Sequence, residues 1–88
     1  MAFDFTAEVE RILFREDPVG INNEVNVGEY MLEATEIVAE LGNAESEQSL
    51  RSIIHDIFVW TFDETMAGPP EKYESIAHQI WELRGLAD

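Results

Sequence analysis

Cysteine is absent from the 88-residue chain. That excludes disulfides, thiolate metal ligation and a cysteine nucleophile. Cations are scarce: 5 Lys and Arg stand against 19 Asp and Glu, a formal net charge of −14. Five scattered cations make no basic patch, and a field of this sign repels phosphates and anionic lipid. Nucleic acid and membrane surfaces are therefore excluded as expected partners. Long apolar runs are also missing. The longest, Ile57 to Trp60, falls far short of the roughly 20 residues of a membrane span. Met1 to Thr6 lack the basic and apolar regions of a secretory signal. A cytoplasmic protein is the expectation. Proline numbers 3 and glycine 5, too few for a low-complexity linker. What remains is 45% hydrophobic, with five Phe, two Trp and two Tyr, a composition that argues against disorder.

Those apolar residues recur every three to four positions in four stretches, the spacing of amphipathic helices. The first helix is expected from Thr6, as cap, to Arg15, with Val9, Ile12 and Leu13 on its buried stripe. Pro18 disfavours helical geometry at Asp17 and ends it. Asp17-Pro18-Val19-Gly20 carries turn residues at positions i, i+1 and i+3. An irregular connection follows to Val27, with Ile21 and Val25 tucked onto the core. The second helix is expected after Asn26 as N-cap, with Glu29 completing a capping box and Val25 and Tyr30 a hydrophobic staple. Its buried stripe is Tyr30, Ala34, Ile37, Val38 and Leu41, and Gly42 is its left-handed C′ residue. The third helix starts at Asn43 or Ser46 and runs to about Met66, burying Leu50, Ile53, Ile54, Ile57 and Thr61. Gly68-Pro69-Pro70 separates it from a fourth, Pro70 to Arg84, which buries Tyr73, Ile76, Ala77, Ile80 and Leu83. Gly85 and Leu86 are expected to close that helix as C′ and C″. The predicted fold is all-α: one domain over residues 1–88, a compact four-helix bundle with a long irregular first connection.

Ile12-Leu13, then Asp17-Pro18-Val19-Gly20-Ile21, then Glu29-Tyr30 resembles the "IL…WDPIGI…DEY" signature of the YugE-like family of small bacterial helical proteins. The resemblance covers roughly the first 40 residues. Glu16 stands where that pattern has Trp, and Gly28 where it has Asp. It implies a compact helical domain without an assigned activity. Through relatives regarded as immunity proteins, it also implies a role in neutralising a toxin. Turn and cap chemistry at Asp17, Pro18, Gly20, Asn26 and Tyr30 accounts for the same residues on structural grounds alone.

Three constellations bear on function. Glu29, Glu33, Glu36 and Glu40 form one narrow row on the second helix, with no Lys or Arg on that helix to offset them. Like charges at i,i+4 cost a few tenths of a kcal/mol per pair. The row reads as a solvated face or as an acidic strip for a basic protein. Val59, Phe62 and Met66, with His55, make a second apolar stripe on the third helix. Either the bundle covers it or it forms a homodimer interface. His78 has Glu74 and Glu82 at i−4 and i+4, a weak metal face, while Ser52 and Ser75 occupy the positions a Glu-x-x-His di-iron motif would need. There is no nucleophile elbow, P-loop or dinucleotide fingerprint, and no cofactor is expected. The leading expectation is a non-catalytic interaction protein, immunity- or inhibitor-like toward a basic partner. A homodimeric accessory protein comes second. A small carboxylate/His metal protein or enzyme is third.

Overall fold

Asp4 starts the first helix. The computed structural model describes residues 4–20 and 30–87. In it α1 spans Phe5–Glu16, and the Asp4 carboxylate accepts the Ala7 amide at 3.0 Å. The expected cap, Thr6, lies inside the first turn. Aspartate outranks threonine at this position, and its charge suits the positive end of the helix. Asp17 ends α1 in the left-handed region at φ 50°, donating its N–H to the Leu13 carbonyl at 2.8 Å. Pro18 follows, and the Gly20 amide donates to the Asp17 carbonyl at 3.1 Å, with Gly20 at φ 69°. The expected turn therefore forms, and glycine occupies the position that disfavours a side chain.

α2 spans Met31–Glu40 with Tyr30 as its capping residue. Tyr30 is thus not in the second turn of a helix begun after Asn26. Asn26, Glu29, Ile21 and Val25 lie outside the described residues. The anchor for Tyr30 is its own hydroxyl. The ring is fully buried, so the phenol needs a partner. It donates to the Asp17 carboxylate at 2.8 Å and accepts the Val19 amide at 3.3 Å. At its other end α2 tightens into a 3₁₀ turn, Leu41–Asn43, whose cap Ala44 donates to the Leu41 carbonyl. Gly42 is therefore not a left-handed C′ residue. The 3₁₀ turn uses a terminal carbonyl without needing one.

α3 spans Glu47–Thr61, and Ser46 is its cap, accepting the Ser49 amide at 3.0 Å. The helix stops five residues short of Met66, because Asp63 begins another. Its carboxylate accepts the Met66 amide at 2.7 Å and caps α4, Glu64–Ala67. A short acid that bonds the backbone this way competes with helix continuation. Gly68, at φ 75°, ends α4. A 3₁₀ turn, Pro70–Tyr73, leads into α5, Glu74–Ala87. Gly85 lies within α5 rather than after it. Glycine permits a left-handed stop but does not require one, and inside a helix it costs only about 1 kcal/mol.

The fold is all-α, with five α-helices and no strand among the described residues. The expected four helices become five because the third is broken at Phe62-Asp63. α1 packs on α2, α2 on α3, α3 on α5, and α5 on α1, which closes a ring. α4 and the Pro70–Tyr73 turn pack back on α3. The Cα radius of gyration, 12.2 Å, matches about 12 Å for a compact chain of this length. No described helix is long and apolar enough to cross a membrane.

Val9, Ile12 and Leu13 are buried as expected, as are Tyr30, Ala34, Ile37 and Leu41, with Val38 half-buried. The buried face of α3 differs. It runs through Leu50, Ile54 and Phe58, leaving Ile53, Ile57 and Thr61 half-buried. The cause is aromatic packing. The Phe58 ring meets Tyr30 at 5.9 Å, Tyr73 at 5.1 Å and Phe62 at 5.6 Å. A ring with three aromatic neighbours gains more by burial than an isoleucine at the edge. Tyr73 at the end of the 3₁₀ turn and Ile76, Ala77 and Ile80 on α5 are buried, and Leu83 is half-buried.

Candidate protein-binding groove

The rotation of α3 toward Phe58 leaves a shallow apolar floor between α2 and α3. Ile53 and Ile57 form it. Glu36 and Glu40 border it from α2, and Asp56, Trp60 and Thr61 border it from α3. The volume of this open groove is about 260 Å³, just under the roughly 300–1,000 Å³ of small-molecule pockets. This is space for a side chain or two rather than a cofactor. Trp60 is 89% exposed, a large aromatic left in water at the rim. The Thr61 hydroxyl is already committed, donating to the Ile57 carbonyl at 2.9 Å. None of the chain's Lys or Arg residues lines the groove.

The acidic row is divided by the fold. Glu36 and Glu40 are exposed and face the groove. Glu33 is 3% exposed and belongs to the interior, so it is not part of a surface strip. At 100° per residue Glu33 lies only about 40° from Ile37, closer to the buried stripe than Glu36 or Glu40. Glu29 lies outside the described residues. Asp56, from the neighbouring helix, completes the exposed acidic set.

The second apolar stripe of α3 is also redistributed. Val59 and Phe62 are half-buried and pack on the core. His55 donates from Nε2 to the Gly68 carbonyl at 2.9 Å and packs on Tyr73 at 5.7 Å. The segment after α3 thus folds back over this stripe. Met66, 42% exposed on α4, is the most exposed of the three predicted interface residues. Val59 and Phe62 are therefore partly covered by the chain's own core. The reason is the break at Asp63, which turns the chain back on itself.

Tyr73 donates to the Ala67 carbonyl at 2.6 Å, and burial pushes its phenol up to about 12. It holds α4 down and faces no groove. His78 is exposed. Its Nδ1 lies 3.1 Å from Glu47 and its Nε2 3.9 Å from Glu82, so α3 replaces Glu74 as the source of its nearer carboxylate. Among the described residues no group of three or more His, Asp or Glu is placed to hold a metal ion.

Sequence reasoning did not single out Trp60 and Asp56 as site residues. Trp60 lies about 120° around α3 from the middle of the Leu50-Ile54-Phe58 line, at 100° per residue. A tryptophan so far off the buried face, one helical turn after an aspartate, was the available signal. It required knowing that Phe58 and not Ile57 centres the core. Comparison with protein-family models, curated proteins and solved structures finds no match to this chain.

Proposed function

We propose that the protein is a non-catalytic interaction protein of the cytoplasm that binds a basic protein partner through the α2/α3 groove. One observation carries this reading. Three carboxylates from two helices surround an apolar floor and a highly exposed tryptophan, with no Lys or Arg among them. An exposed apolar surface inside a charged rim has the anatomy of a protein-binding patch. The net charge of −14 would speed encounter with a cationic surface. The ring of four longer helices then serves as a bundle-like scaffold that holds α2 and α3 at fixed separation. The resemblance of the Asp17–Tyr30 region to the YugE-like family supports the sharper version, an immunity- or inhibitor-like protein that occludes a basic active site.

The test is affinity capture from the native cell at low and high salt. Wild-type protein is compared with a Glu36→Lys/Glu40→Lys/Asp56→Lys variant. The reading expects a basic protein that is retained at low salt, released at high salt, and lost from the variant. Equal retention by the charge-reversed protein would remove this groove from consideration.

A further inference from the structure

We infer that the groove is a seat for an arginine side chain of the partner, with the guanidinium stacked on Trp60 and bonded to the surrounding carboxylates. This rests on the reading of the α2/α3 groove as a basic-partner site and adds which cation it selects. The groove's residues divide by chemistry. Ile53 and Ile57 offer an apolar floor to an aliphatic stem, the part of a long cationic side chain that favours burial. Glu36 and Glu40 on one wall and Asp56 on the other offer acceptors from two directions. Trp60, at 89% exposure, presents an unoccupied ring face. Tryptophan is the best aromatic partner for a cation.

Lysine satisfies the charge but not the rest. Its ammonium is strongly hydrated and acts as a point charge, whereas a guanidinium is planar, weakly hydrated, stacks on rings and presents five donors in a fixed fork. Carboxylates on both walls match a fork better than a point. The chain itself contains the same contact elsewhere: the Arg84 guanidinium lies 4.7 Å from the Trp81 ring centre. Trp81 is half-buried and already engaged, while no Lys or Arg among the described residues lines the groove beside Trp60.

The experiment titrates the full chain with nona-arginine and nona-lysine at physiological ionic strength, by calorimetry. It compares wild type, Trp60→Ala, Glu36→Gln/Glu40→Gln, and a charge-matched control, Glu64→Gln/Glu71→Gln, on exposed positions outside the groove. Circular dichroism verifies that each variant is folded, and Trp60 is solvated enough for its removal to leave the core intact. The expected result is nona-arginine binding roughly 2- to 5-fold more tightly than nona-lysine, because a guanidinium stacks on the ring and bridges carboxylates where an ammonium stays hydrated. Trp60→Ala reduces that preference. Glu36→Gln/Glu40→Gln weakens both peptides more than the control does. If both peptides bind equally and Trp60→Ala changes neither, while Glu36→Gln/Glu40→Gln still weakens both, the arginine seat is wrong and the acidic groove stands. If the groove variant and the charge-matched control behave alike, or neither peptide binds, both fall.

Discussion

Asp17 opens the turn of the sequence motif and Tyr30 closes the motif, and a single hydroxyl joins them. The 2.8 Å bond from phenol to carboxylate, with the Val19 amide bonded to the same oxygen, ties the turn after α1 to the start of α2. This is a structural use of both residues, and it explains why aspartate and tyrosine appear together. Glu33 carries the clearest lesson about single positions. Its spacing matches Glu36 and Glu40, but it is buried and they are not. Glu33→Lys is therefore expected to lower stability by about 1–3 kcal/mol, and Glu36→Lys to stay within about 0.5 kcal/mol. Urea denaturation of the two variants measures this, and equal midpoints would return Glu33 to the surface. Tyr73 makes a pH-dependent contribution. Its folded-state value, about 12, lies above the ordinary 10.0. The contribution is fully present below pH 10 and is lost as pH rises through about 12, because the unfolded chain releases this proton first. Tyr73→Phe should give a shallower loss of stability than wild type across pH 10 to 12. Parallel slopes would contradict the assignment.

The helices themselves were largely legible. Val9, Ile12 and Leu13, or Tyr73, Ile76, Ala77 and Ile80, follow one stripe each, and periodicity alone places them inside. Helix ends were less legible, because several residues near each end can cap and only the fold chooses. Asp4 displaced Thr6, Ser46 rather than Asn43 of the two candidates caps α3, and neither Gly42 nor Gly85 took a left-handed conformation. The break at Phe62-Asp63 was hidden for a different reason. Apolar periodicity continues through it, so nothing but the capping capacity of Asp63 marks the stop. The groove was half-legible. Glu36 and Glu40 stand out as an unbalanced row, but their partners Asp56 and Trp60 come from another helix whose rotation depends on Phe58. Asp63→Ala removes the bond to the Met66 amide and should cost about 1 kcal/mol. Because α4 packs on α3, the variant should also expose His55 and broaden the amide signals of residues 64–68. An unchanged melting midpoint would show that packing of Ala67 and Tyr73, rather than the cap, sets the break.

At the scale of the whole molecule, a ring of four helices fixes α2 and α3 side by side with a groove between them. Acidity alone steers any cation toward any face of a protein with a net charge of −14. The apolar floor and the exposed ring of Trp60 are what distinguish one place from the rest. Specific binding should therefore be local, whereas attraction by net charge should be diffuse. Chemical-shift mapping of the ¹⁵N-labelled chain during titration with nona-arginine separates the two most directly. Binding in the groove predicts shifts confined to Glu36, Glu40, Ile53, Asp56, Ile57 and Thr61, together with the indole N–H of Trp60 and not that of Trp81. Shifts spread evenly over the acidic surface, or concentrated away from α2 and α3, would contradict it.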